Sequence, residues 1–264
     1  MTAISTPSAG PAPTRRYGGT PFGRIANVVR LQLGNPWTAV VLPWMILGFI
    51  FLGNIAVWLL IGFAANDQDA RNAREGFSYS GASFYIFVYM MVVAIQSINI
   101  TFRFALGFGV TRRDYWLGSA ATWVILAAMF SIGITILGLI ERATDGWGLG
   151  GRMFSPVYYG EEWWQRLLVV FIALLFLLFF GALIGAIYVR WKALGVIVFF
   201  AALVVLGIAL VAVAIQPGVS AWYGQVSAGF GPPTPLGIAA WFLIPAALWA
   251  VLGFFILRRA TARA

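Results

Sequence analysis

The sequence predicts an all-α polytopic membrane protein: six transmembrane helices, an interfacial amphipathic helix before them, and both termini in the cytoplasm. Three observations carry that expectation. Hydrophobic residues make up 61% of the 264 and charged residues only 9%, and the mean hydropathy is +0.90, outside the range of soluble globular chains. The apolar residues gather into runs of about 20 or more, enough to cross a hydrocarbon core roughly 30 Å thick. The basic residues are shared unevenly between the two sets of loops, as positive-inside bias requires.

Residues 1–21 open with "MTAISTPSAGPAPTRRYGGT", rich in Ala, Pro, Ser, Thr and Gly and without an apolar h-region. They are expected to form a disordered cytoplasmic tail and not a signal peptide. Residues 22–35 follow as the amphipathic helix. Phe22, Ile25, Ala26, Val29 and Leu33 share one face, with Arg24, Asn27 and Arg30 mostly opposite. Such a helix either lies along the inner leaflet, the preferred reading, or packs on another part of the protein. "GNP" at Gly34–Pro36 ends it.

Residues 36–258 are expected to hold the spans, at about 39–64, 83–106, 115–140, 166–189, 193–215 and 236–257, leaving 259–264 as a short cytoplasmic tail. Twelve of the seventeen basic residues then fall on the side of the termini, with Asp114 as the one acid there. They are Arg15, Arg16, Arg24, Arg30, Arg103, Arg112, Arg113, Arg190, Lys192, Arg258, Arg259 and Arg263. Arg71, Arg74, Arg142, Arg152 and Arg166 lie opposite, with seven acids. This places the chain in the cell membrane with both ends inside. The uncharged loop at 216–235 is either a re-entrant pair of short helices or a glycine-rich connector.

The same composition excludes much chemistry. There is no cysteine and no histidine, so thiolate and imidazole metal sites and Ser-His nucleophiles are absent. No aspartate lies deep in a span. The one lysine, Lys192 in "VRWKAL", belongs to no Walker A loop. No catalytic or metal-ligating residue is expected, and no enzyme. The formal charge of +9 is scattered at the ends of apolar runs, which suits anionic lipid headgroups and not nucleic acid.

The stretch "FALGFGVTRRDYWLGS", from Phe104 to Ser119, sits between two spans. Gly107 and Gly109 suit the end of a helix, because glycine accepts the left-handed C-cap conformation. Thr111 suits an N-cap, with Asp114 three residues on completing a capping box. Helices over 83–108 and 112–140 would each be roughly 40 Å long, longer than the apolar core requires. The hairpin is therefore expected to project into the cytoplasm as a rigid knob bearing Arg112, Arg113 and Asp114. On the residues alone, it is either a docking point or only a membrane hairpin.

In order of features the chain resembles the membrane subunits of ABC-2 type transporters: a basic interfacial helix, six spans and a "GVTRRDYWLG" turn between spans two and three. Gly109, Val110, Thr111, Arg112, Arg113, Asp114 and Tyr115 match that family's recurrent "G-[VI]-[ST]-R-R-x-[FY]" turn position by position. The resemblance implies that the turn contacts a separate cytoplasmic ATPase subunit. It implies also a second permease copy or close relative, and no cofactor on this chain, with ATP and Mg bound by the partner. The implied function is a permease subunit of an exporter.

Inside the membrane, span two carries a polar face of Tyr85, Tyr89, Gln96, Asn99 and Arg103, at helical spacing. These residues either line a translocation path or subunit interface, or hydrogen-bond helices within a fixed bundle. Gly181 and Gly185 in span four form a small-xxx-small pattern for close helix packing. Pro43 and Pro245 are expected to kink spans one and six. Span five is apolar all round. If it lines a path, as the resemblance implies for spans two and five, the cargo is apolar or amphipathic. The rival reading is a non-transporting membrane scaffold or immunity-type protein, in which the turn is only an anchor.

Overall fold

Helix is the only regular structure among the described residues, as expected where backbone groups meet lipid and must bond within their own segment. The computed structural model describes residues 20–34, 36–64, 76–77, 79–219, 225 and 234–259. The tail up to residue 19, the loop at 65–75 with Arg71 and Arg74, nearly all of 220–233 and the last five residues lie outside the described residues. The expectations for both tails and for a re-entrant loop at 216–235 fall there.

A short helix, α1 (Pro21–Leu33), comes first. Five helices long and apolar enough to cross a membrane follow: α2 (Trp37–Phe63), α3 (Ala82–Gly107), α4 (Arg112–Ala143), α5 (Trp163–Ala214) and α6 (Pro235–Arg259). There are five and not six because the runs expected at 166–189 and 193–215 have no loop between them. They form one element of 52 residues, broken only at Lys192, where φ is 58° and ψ is −153°. That backbone region is sparsely populated for any residue but glycine. The ring of Phe180 lies 6.1 Å from Phe199 and 6.3 Å from Phe200. On a straight helix residues so far apart in sequence would be separated by about 30 Å. So α5 doubles back at Lys192 into two antiparallel limbs.

The core lies where α3, α4 and the first limb of α5 meet. Ile86, Met90, Ala94 and Ile98 of α3 face Ala127, Phe130 and Ile134 of α4 and Val170, Leu174 and Ala182 of α5, all fully buried. The α3 stripe steps by four residues, 86, 90, 94, 98 and 102. At 3.6 residues per turn such a stripe drifts about 40° at each step. A π turn at Ser97–Thr101 takes back part of that drift and keeps Phe102 in the core. Gly181 and Gly185 do what their spacing suggests: a Cβ at 181 would overlap the Met91 carbonyl, and one at 185 would come within 2.9 Å of Ile98 Cβ. They bring α5 onto the backbone of α3, a contact within one chain.

Glycines on α4 serve as sockets for three other elements. Val28 of α1 fills the space at Gly118, Trp44 of α2 that at Gly133, and Arg166 of α5 that at Gly138. Helix α1 is thereby packed on protein. Val28 is buried, Gln32 bonds Ser119 at 2.5 Å, and Arg24 turns toward α4. Phe22, expected on the apolar face, is 80% exposed. The regular α-helical pattern changes ahead of both prolines: a π turn lies at Trp37–Val41 just before Pro43, and the α-helical bonding is interrupted at Phe242 just before Pro245. Each proline lacks the donor that would close the bond four residues back.

The second limb of α5 is the outlier. Ile197, Val204, Ile208 and Val211 are each about 60% exposed or more.

Candidate functional site

The turn between α3 and α4 is built from two capping devices placed end to end. Helix α3 closes in a Schellman motif: Gly109 N–H donates to Leu106 O at 3.0 Å and Val110 N–H to Ala105 O at 3.2 Å. Gly109 has φ +79°, which explains why glycine stands there. Thr111 then caps α4, its Oγ1 accepting from Asp114 N–H at 3.1 Å. Both helix ends are thus closed by bonds made within the turn itself, which stiffens it.

Its charges point inward more than the projecting-knob expectation allowed. Asp114 is buried, and its Oδ2 lies 3.2 Å from Arg24 Nε of α1, close enough to pair though not aligned as a hydrogen bond. Arg112 donates to Arg258 O at 3.0 Å, where α6 ends and its last carbonyls lack helical partners. Tyr115 is a core residue: fully buried, it donates to Ser97 O at 2.7 Å and its ring lies 5.2 Å from Phe102. Val110 is half-buried. The exposed tip is Gly107, Phe108, Gly109, Thr111 and Arg113. The turn therefore lashes together α1, α3, α4 and α6 and presents one charge, Arg113, outward.

The polar face of α3 lies away from the core stripe. The rings of Tyr85 and Tyr89 lie 5.7 Å apart, tilted at 46°; Tyr89 donates to Thr38 O at 2.8 Å, whereas the buried Tyr85 hydroxyl has no partner. Gln96 and Arg103 are exposed, and Asn99 is half-buried with Oδ1 unbonded. Gln96 borders a cleft of about 230 Å³ shared with Gln32, Thr38, Thr101 and Thr122.

At the other end of α4 lies a second site that periodicity did not reveal. Glu141 is 1% exposed. Its carboxylate accepts from three successive backbone N–H groups: Met153 at 2.8 Å, Phe154 at 3.1 Å and Ser155 at 2.9 Å. Ser155 Oγ adds a bond at 2.6 Å and Trp147 Nε1 one at 3.4 Å. Such a nest of amides supplies a buried carboxylate with the donors that burial takes from it. The chain reaches it through a left-handed turn, with φ of 50°, 66°, 61° and 75° at Asp145, Gly146, Trp147 and Gly148. The strain at Trp147, about 1–3 kcal/mol, is offset by its indole, which packs 4.9 Å from Phe51 and reaches Glu141. Tyr158 and Tyr159 tie this cap to the start of α3, through Ser80 O at 2.6 Å and Ser83 Oγ at 3.0 Å. Burial raises the pKa of both hydroxyls.

Beneath the cap, Arg166 is fully buried, and its Nε, Nη1 and Nη2 have no hydrogen-bond partner among the described residues. A cavity of about 570 Å³ lies on the solvent side, lined by Glu141, Arg142, Asp145, Arg152 and Glu161. The one available sequence signal was an acid and a base at facing ends of consecutive spans, flanking "DGWGLGG".

No family model, curated protein or solved structure matches this chain. Among the described residues no cluster of three or more His, Cys, Asp or Glu is placed to hold a metal ion.

Proposed function

We propose that this chain is the membrane-spanning permease subunit of an ATP-driven ABC-2 type exporter. It would cross the cell membrane six times, the two limbs of α5 counting separately, with both termini in the cytoplasm. A separate ATPase subunit docks on the turn at Gly109–Tyr115 and binds the ATP and Mg; this chain catalyses nothing and carries no cofactor.

The observation that carries the reading is the build of the turn. Its backbone is closed by a Schellman motif and an N-cap, and its side chains reach α1 through Asp114 and α6 through Arg112. A push on such a tip moves several helices together, which a coupling element must do. Two further features support the reading. The second limb of α5 offers an apolar face with little of this chain against it, as a second permease copy would need. The same face favours apolar or amphipathic cargo and contact with lipids. The basic charge at the turn end agrees with a cytoplasmic position.

One observation favours the rival reading of a non-transporting scaffold or immunity-type protein. Arg112 and Asp114 already have partners inside the chain, so the turn needs no docking subunit to satisfy them. Purification in mild detergent separates the two. Co-elution of an ATPase is the expected result, and a chain that elutes alone and stays folded favours the scaffold.

A further inference from the structure

We propose that Glu141 is shared between two states of the cap. In the state described it is held by the Met153–Ser155 strap; in the other it pairs with Arg166 and the strap is released.

The inference starts from an imbalance. A buried guanidinium without bonding partners is among the costliest arrangements a fold can hold. Arg166 has three unbonded nitrogens, while the nearby carboxylate is saturated by five donors. The two are neighbours on one helix face. Arg166 occupies the slot at Gly138, where an added Cβ would lie 2.9 Å from Nη1, and Gly138 precedes Glu141 by less than one helical turn. Among the described residues, Glu141 and Arg142 are the charged neighbours of the Arg166 guanidinium. Arg142 repels it, but is itself tethered to Glu161 O in the loop. Glu141 is the described carboxylate that attracts it, and satisfying the guanidinium there costs the strap its anchor.

The strap is suited to letting go. The strained turn at Asp145–Gly148 relaxes when its indole leaves Glu141. The cavity of about 570 Å³ on the strap's solvent side gives the freed segment room. Two arrangements of one carboxylate, each leaving some donors unbonded, form a bistable element of the kind that opens and closes a surface.

Chemical labelling tests this, because the chain has no cysteine. Met153→Cys places a thiol in the strap, at a side chain that is fully buried and does not hold Glu141. Ala127→Cys, equally buried in the core, reports on global opening. The whole chain in detergent is treated with a polar maleimide and the rate of each thiol is followed. Arg166→Met removes the competitor, and is expected to slow labelling at 153 about tenfold or more, the equivalent of about 1.4 kcal/mol, leaving 127 unchanged. In a Glu141→Gln background, which frees the strap by itself, Arg166→Met is expected to have no further slowing effect. Arg166→Gln, which keeps a polar side chain in the slot but removes the cation, is expected to slow labelling at 153 in the same direction, and it decides the matter if Arg166→Met does not fold. Labelling at 153 that is unchanged or faster in Arg166→Met, or in Arg166→Gln where the first variant does not fold, means that Arg166 only packs, and overturns the proposal.

Discussion

The two ends of α4 use buried charge in opposite ways. At the Thr111 end, an ion pair and a side chain-to-carbonyl bond fasten neighbouring helices to a turn already closed by its own backbone. Remove the charges and the turn keeps its shape. At the Glu141 end the turn over 144–151 closes on its own backbone, but the strap that follows it does not, and three of its successive amides depend on one carboxylate. Remove that charge and the shape goes with it. Local geometry makes the first end stiff; a single distant acceptor makes the second conditional.

The largest effect should therefore come from Glu141→Leu, which leaves three buried N–H groups without an acceptor and the already unbonded Arg166 without a neighbouring carboxylate. A loss of about 3–5 kcal/mol is expected from breaking a buried charged cluster on one side, read as a lower melting temperature and rapid proteolysis within 144–162. A protein with a native melting temperature and an intact loop would erase the contrast. Next is Gly181→Val. Its side chain must displace the Met91 backbone and not a flexible side-chain end, an overpacking cost of about 1–3 kcal/mol. Because it strikes midway between the two ends, it should lower the melting temperature while leaving both the turn and the strap protected.

The cap should also weaken in alkali. Burial raises the Tyr159 pKa above its ordinary value of about 10, so the folded state holds the neutral phenol more tightly than the unfolded chain does. That stabilisation is complete below about pH 10 and is lost as pH climbs through the raised folded value. Tyr159→Phe should flatten the alkaline limb of a stability profile, at the expense of the bond to Ser83. An unchanged limb would assign alkaline loss to other groups.

How far each end could be read from sequence follows the same division. Gly109 and Thr111 act through bonds spanning three to five residues, so their spacing alone revealed the caps. Gly181 and Gly185 were legible because a helix repeats their face. The partners of Asp114 and Arg112 lie 90 and 146 residues away in sequence, on α1 and α6, and no local pattern names them; hence the expectation that all three charges would face out. Tyr115 looked like part of the motif, yet its hydroxyl is spent on the π turn of α3. Glu141 and Arg166 read as ordinary charges at span ends, because the strap that buries one and the socket that admits the other are tertiary. Lys192 likewise looked like loop, since two apolar runs flank it; that one residue suffices for the reversal is a matter of its dihedral angles.

The smallest effects on stability belong to the turn, and they isolate docking from folding. The Arg24–Asp114 pair is partly open to solvent, so a double-mutant cycle with Arg24→Ala and Asp114→Ala should return no more than about 1 kcal/mol. Thr111→Ala should cost about 1 kcal/mol through the lost N-cap. Arg113→Glu should cost within about 0.5 kcal/mol, as for surface changes away from any special contact, because Arg113 is exposed and bonds nothing among the described residues. Arg112→Glu differs, since it also removes the bond to the end of α6 and sets a carboxylate against a carbonyl. If the turn docks an ATPase, the two variants should part company. Arg113→Glu should melt like the native protein yet fail to retain the ATPase on purification, while Arg112→Glu should lose both stability and partner. If Arg113→Glu keeps its partner while Arg112→Glu loses it, then docking depends on the lashing of the helices and not on the exposed charge. If neither variant changes what co-purifies, the stiffness of the turn serves the fold alone, and the scaffold reading stands.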